Sequence, residues 1–186
     1  SGQVTSVVRY EAGSTFEQHV HPLGEEIFVL DGVFADENGE YPAGSYLRNP
    51  PGSRHAPRSP EGCELFVKLD QFDPLDDISL RIDTKSTAWL PGEHDVRVMP
   101  LYYYGTEMVA LYKWPAGARY DQHQHFGGEE VFVLSGTLFD DYGDVKHYPK
   151  MFIVKDQQVV SYQRYIKTER ERILREVQDL LVTGGD

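Results

Sequence analysis

The sequence predicts an all-β chain, a β-sandwich or barrel built twice over and followed by one C-terminal α-helix. Three observations carry this expectation. Short segments such as EEIFVL (25–30), CELFVKL (63–69), MVALYKW (108–114) and EEVFVL (129–134) are rich in Val, Phe, Leu, Ile and Tyr and are bounded by Gly, Pro, Asp or Asn, the composition of strands separated by turns. The stretch HVHPLGEEIFVLDG (19–32) recurs as HQHFGGEEVFVLSG (123–136), 104 positions later, which marks a duplicated unit. From about residue 158 the apolar spacing changes to steps of three and four, the period of a helix.

Taken in order, the strands are separated by legible turns. DENGE (36–40), YPAG (41–44), NPPGS (49–53), LPGE (90–93) and DDYGD (140–144) each hold a Gly or a Pro-Gly pair, which supply positive φ and a preset bend. The repeat pairs Gly13 with Gly117, His19 with His123, His21 with His125, Glu25 with Glu129, Gly32 with Gly136, Asp36 with Asp140 and Gly39 with Gly143. It then loses register, because three extra residues precede the Tyr-Pro pair of the second copy, and GSYLRNPPGSRHAP has no counterpart beyond Met151. The expected organisation is a first barrel over 1–82, a partial second repeat over 83–150 and a divergent tail over 151–186. In the tail, Tyr162, Tyr165, Ile166, Ile173, Leu174, Val177, Leu180 and Leu181 form one stripe, with Ser161 as cap, Glu171 and Arg175 at i,i+4 and Gly184 as stop. Such a helix must bury its apolar face, and strand edges left open at the two repeats call for another element or a second protomer. A homodimer through those edges or through the helix is the expectation.

Composition narrows the function. With 18 basic and 30 acidic residues the formal charge is −12, so nucleic acid is repelled. No run approaches the roughly 18 apolar residues of a membrane span and the N-terminus does not read as a signal peptide; the expectation is a cytoplasmic protein that binds neither nucleic acid nor membrane. The single cysteine, Cys63, excludes an intramolecular disulfide and a cysteine-based zinc cluster and reads as a small buried hydrophobe. His94, in the polar turn PGEHD, reads as solvent-exposed, and Lys68, Arg48 and Arg54 as surface residues.

The chemistry-bearing residues are concentrated in the repeat. His19 and His21 are two apart, so on a strand both rings leave one face. Glu25 begins EEIFVL, where Glu25, Ile27 and Val29 share a face; with Ile27 and Val29 inside a barrel, Glu25 is inside too. A carboxylate there is costly to desolvate, and a divalent cation shared with imidazoles offsets that cost. His55, at the end of the NPPGSRH turn, is the fourth candidate. Three nitrogens and one oxygen suit zinc, iron(II), manganese, nickel or copper rather than magnesium or calcium. The second copy keeps His123, His125 and Glu129, but the positions matching His55 hold Val159 or, with the insertion, Tyr162; His147 is the nearest spare imidazole. One divalent metal is expected per intact site.

Gly13, His19, His21, Glu25 and Gly32 reproduce the spacing of the first cupin motif, and Gly44, Pro50, Gly52 and His55 that of the second, whose last Asn is Ser59 here. The wording around them resembles the ChrR-like cupin group over residues 4–149. The resemblance implies a conical double-stranded β-helix barrel with the metal held inside by His19, His21, Glu25 and His55. The group's best-known members carry this domain behind a zinc-containing anti-sigma segment, which this sequence does not contain, so sigma-factor binding is not carried over. Two functions follow as expectations: a regulatory module responding to a small molecule or oxidant, or an iron(II)-dependent dioxygenase acting on a small diketone-like substrate.

Overall fold

The computed structural model describes residues 2–121, 128–140, 143–146, 150–155 and 158–164. They fall into two compact units, Ser1–Arg119 and Tyr120–Asp186. Among the described residues the regular elements are strands and one 3-10 turn, Glu93–Asp95.

The first unit is built around β4 (Glu25–Asp36). Its first half lies between β6 (Ser45–Asn49) and β9 (Cys63–Leu69), and β1 (Val4–Tyr10) and β10 (Leu80–Asp83) add the outer strands, all antiparallel, in the order β1-β9-β4-β6-β10. Its second half leaves that sheet and pairs with β5 (Gly39–Pro42) as a hairpin. The change of partner falls at a register shift between Val29 and Asp31 and at Gly32, which has φ +71°. A Cβ at Gly32 would lie 2.1 Å from the Gly62 carbonyl oxygen. Only glycine permits that approach, and it lets one strand turn the corner of the barrel.

Alternation along β4 sorts its side chains as the sequence predicts. Ile27 and Val29 are buried with Phe34, Leu47, Cys63, Leu65 and Val67 in the barrel core. The other face is covered as well. The hairpin of β12 (Arg97–Tyr104) and β13 (Glu107–Lys113) brings Met99 and Leu101 against Tyr46, with Phe28, Ile82, Trp89, Val109 and Leu111 around them. The run from Ser86 to Glu107, which precedes the second copy's motif in the sequence, thus packs within the first unit.

Covering both faces corrects the surface placement of Arg48. It is fully buried, the register partner of Glu26, and its guanidinium donates to Asp76 Oδ2 at 2.6 Å, Glu26 Oε2 at 3.3 Å and Glu107 Oε1 at 3.2 Å. The Phe72 and Tyr102 rings lie 3.9 Å above and below it. Burial works against its charge, and Tyr46, Glu26 and Glu107 more than offset this. Arg54 and His94 are exposed as expected, and Lys68 is half-buried.

In the second unit, β15 (Thr137–Asp140) and β16 (Gly143–Lys146) pair from Thr137↔Lys146 to Asp140↔Gly143. Shifted by the repeat, this is the register of the first unit's hairpin, Val33↔Pro42 to Asp36↔Gly39. Strands β14 (Glu129–Phe132), β17 (Lys150–Lys155) and β18 (Gln158–Arg164) form a three-stranded sheet.

This sheet overturns the start of the expected helix. Ser161, read as its cap, pairs with Ile153, and Tyr162 pairs with Phe152. The segment QVVSYQR is rich in β-branched and aromatic side chains, and the hydrogen bonds offered by β17 outweigh a helical period that is only beginning there. The remainder of that helix, residues 165–186, lies outside the described residues.

Candidate metal centre

Two short strands carry the histidines. In β3 (His19–His21) and β7 (Ser53–His55), His19 lies directly opposite His55, and period-two alternation puts His21 on the same face. The NPPG turn aims β7: Gly52 has φ +77°, its N–H donates to the His21 carbonyl at 2.8 Å, and Ser53 N–H donates to the Pro50 carbonyl at 3.0 Å. The three ring centroids are 4.8, 4.9 and 5.1 Å apart. Glu25 arrives from the head of β4 after the turn at Gly24, which has φ +83° and where a Cβ would meet the Phe72 ring at 2.6 Å.

Of the four side chains named from the sequence, the three histidines form one cluster and Glu25 approaches two of them, His21 and His55. The ligand nitrogens of His19, His21 and His55 lie within 4.8 Å of one another. His21 Nε2 and His55 Nε2 are 3.0 Å apart, and Glu25 Oε2 is 3.5 Å from the first and 3.4 Å from the second. Donor atoms held about 2.1 Å from one ion at tetrahedral or octahedral angles stand about 3.0–3.4 Å apart. His21, Glu25 and His55 are buried, whereas His19 is exposed, so the cluster opens on one side.

The protonation states suit a cation. Burial first, then the neighbouring His55 and His19, push the His21 imidazole down to about 4. Burial lowers His55 as well. Burial pushes the Glu25 carboxyl up to about 7, against the hydrogen bond from Asn49 that favours its charged form. Burial thus disfavours the charged form of Glu25 and of both histidines.

Tautomers follow from the far side of each ring. His19 Nδ1 lies 3.0 Å from the Glu17 carbonyl, which can only accept, so Nδ1 carries the proton and Nε2 keeps its lone pair. His55 Nδ1 faces Asp36 Oδ2 at 3.6 Å, both buried with no closer hydrogen bond. A proton on Nδ1 there turns the His55 lone pair toward His21 and Glu25.

Three residues behind these ligands escaped the sequence reading. Asn49, the register partner of Glu25, donates from Nδ2 to Glu25 Oε2 at 2.8 Å. Asp36 stands behind His55, and Arg81 donates to Asn49 Oδ1 at 2.6 Å. Asn49 sits beside the Pro-Gly motif and Asp36 recurs in the repeat, which were usable signals; Arg81 had none. Cys63 is buried in the core and burial raises its thiol, in keeping with a packing role.

In the second copy, His123, His125 and His147 lie outside the described residues. Glu129 opens β14 and is exposed, and the residue paired with it is Val154, where the first copy has Asn49. Val159 and Tyr162, the positions read against His55, lie on β18 beside β17.

A compact β-barrel enclosing histidines from two short strands and a carboxyl from a third is the architecture of a cupin. A profile of the ChrR Cupin-like domain matches residues 1–73 and 78–160, one segment spanning each copy of the repeat, and the chain belongs to this family. Among solved structures it is similar to a "putative dioxygenase" from Nostoc punctiforme PCC 73102, at 16% identity over 89% of this chain and 74% of that one, with a TM-score of 0.61. It also matches a protein of unknown function with a cupin-like fold from Ralstonia eutropha JMP134, at 21% identity over 45% of this chain and 59% of that one, with a TM-score of 0.36. The likeness to the Nostoc protein concerns the fold alone. No curated protein matches the sequence significantly. No helix among the described residues is long and apolar enough to cross a membrane.

Proposed function

We propose that this chain is a tandem cupin that holds one divalent transition metal through His19, His21, Glu25 and His55, and that it acts as a regulatory module responding to a small molecule or oxidant. The observation that carries the metal reading is the buried meeting of His21 Nε2, His55 Nε2 and Glu25 Oε2 at 3.0–3.5 Å, with His55 Nδ1 facing Asp36 on its far side. Zinc, iron(II), manganese and nickel all fit this donor set. Family membership and the exposed edge at His19 support the responsive role, because that edge leaves the ion a side from which a ligand arrives. The matching hairpin registers support a second, shortened barrel after residue 120. The absence of a counterpart to GSYLRNPPGSRHAP in the second copy supports a single working site.

Elemental analysis of the purified chain should give close to one metal per protein; two would restore the second site, and none would remove the metal reading. Exposure to hydroperoxides and common metabolites should change metal occupancy or near-UV dichroism. No change with any of them would count against the responsive role.

A second reading, a metal-dependent dioxygenase, draws support from the same open edge. It predicts oxygen uptake by the iron(II)-loaded protein with small diketones, and silence across such a panel would set it aside.

Metal uptake should also depend on pH in a defined direction. His21 is neutral above about 4, so it releases no proton on binding at pH 5–8. Glu25 is protonated below about 7 and must release its proton to ligate. Affinity should therefore fall as pH drops below 7, by about tenfold per unit. Calorimetry in buffers of different ionisation enthalpy should find more protons released at pH 6 than at pH 8. In Glu25→Gln the release at pH 6 should fall by close to one proton; a release unchanged by the substitution would place the proton elsewhere.

A further inference from the structure

Arg81 lies on β10 opposite Leu47 of β6, and its side chain is 28% exposed. Its Nη1 is spent on the barrel itself, donating to the carbonyls of Arg48 at 2.9 Å and Leu80 at 2.7 Å and to Ser79 Oγ at 3.3 Å. The rest of the guanidinium faces inward. Nη2 donates to Asn49 Oδ1 at 2.6 Å, Nε donates to the Tyr41 hydroxyl at 3.3 Å, and Nη2 stands 4.0 Å from Asp36 Oδ2.

A guanidinium can only donate, and this determines the direction of everything beyond it. Because Arg81 occupies the oxygen end of the Asn49 amide, the NH2 end must face Glu25, and Nδ2 donates to Oε2 at 2.8 Å. Reversed, the amide would set its oxygen against the carboxylate. Because Arg81 Nε occupies a lone pair of Tyr41, the hydroxyl proton goes to Asp36 Oδ1 at 3.3 Å. Asp36 Oδ1 also accepts from the Asn38 backbone N–H at 2.7 Å, and Oδ2 is left to face His55 Nδ1 at 3.6 Å, an arrangement in which a proton on Nδ1 keeps the His55 lone pair on the cluster side. One hydrogen-bond chain of fixed polarity thus runs from Arg81 through Asn49 to Glu25, and a second runs through Tyr41 to Asp36, whose Oδ2 stands 3.6 Å from His55 Nδ1.

We propose that Arg81 is the positioning residue of the metal centre, setting the Asn49 amide that holds Glu25 and the Tyr41–Asp36 pair that orients His55. The inference rests on the metal reading given above, and the experiment separates the two. Zinc affinity is measured on the full chain by competition with a chromophoric chelator, and the cobalt(II) absorption spectrum is recorded for wild type, Arg81→Met, Arg81→Lys and Tyr41→Phe. Arg81→Met should bind zinc about 10–100-fold more weakly, the range for loss of groups that orient metal ligands. Its cobalt spectrum should be altered while the metal-free protein melts as wild type does. Arg81→Lys should recover part of the affinity, and Tyr41→Phe, which cuts only the His55 branch, should lose less than Arg81→Met.

If Arg81→Met does not fold, Arg81→Lys and Tyr41→Phe carry the test, each with a loss of several-fold. Wild-type affinity and an unaltered cobalt spectrum in the folded variants would overturn the role of Arg81 with the metal site intact. A wild-type protein that binds neither zinc nor cobalt would instead overturn the metal reading itself.

Discussion

Replacing His21 with alanine is expected to lower zinc or iron(II) affinity by more than a hundredfold. Its Nε2 stands 3.0 Å from His55 Nε2 and 3.5 Å from Glu25 Oε2, and burial keeps the ring neutral with its lone pair available. A four-ligand zinc site is worth about 10–16 kcal/mol at neutral pH, so one ligand of four accounts for about 3 kcal/mol, roughly two orders of magnitude. His94 is the matched control, an exposed histidine in the turn Glu93–Asp95, and its alanine variant should bind as wild type. Competition titration reads both. Affinity within threefold of wild type in His21→Ala would remove His21 from the site.

The second large effect is on stability. Arg48→Met should destabilise the protein by about 3–5 kcal/mol, the cost of breaking a buried ion pair from one side. The substitution removes the guanidinium that lies over Phe72 and Tyr102, leaves the buried Asp76 carboxyl without its cation and leaves Glu26 with Lys68 alone. The diagnostic variant is the double substitution. Arg48→Met with Asp76→Asn should recover part of the loss, because the remaining polar group is neutral and Tyr102 still has its hydrogen-bond partner in the Asn carbonyl. Urea denaturation followed by near-UV dichroism measures both. A loss below about 1 kcal/mol for the single variant would mean that water or rearrangement satisfies those carboxyls.

Much of the candidate site was legible in the sequence, because its residues are related by local rules. Residues two apart share a strand face, which put His19 with His21 and Glu25 with Ile27 and Val29; the Pro-Gly turn before His55 announced a second short strand. The hairpin at Asp36–Gly39 was legible twice, from DENGE and from DDYGD, and both copies form it in the same register. Local rules misled where two patterns overlapped. QVVSYQR can be read as the start of a helix or as a strand, and pairing with β17 decides for the strand.

Arg48 shows the other kind of miss. A charged residue in a strand next to a turn reads as surface, and nothing near it in sequence says otherwise. Its partners Asp76 and Glu107 lie 28 and 59 positions away, and the hairpin that seals it comes from the stretch preceding the second copy's motif.

By itself, then, the sequence determined the β class, the duplication, the candidate site residues and the family's spacing, since each depends on periodicity or short turns. Only the tertiary structure decided that the outer face of β4 is covered, that Asn49 donates to Glu25 while Val154 is the register partner of Glu129, and that Arg81 reaches Asn49 and Tyr41. The physical reason is that these depend on register between strands distant in the chain. Register is set by which apolar faces bury against each other, and that choice belongs to the whole fold.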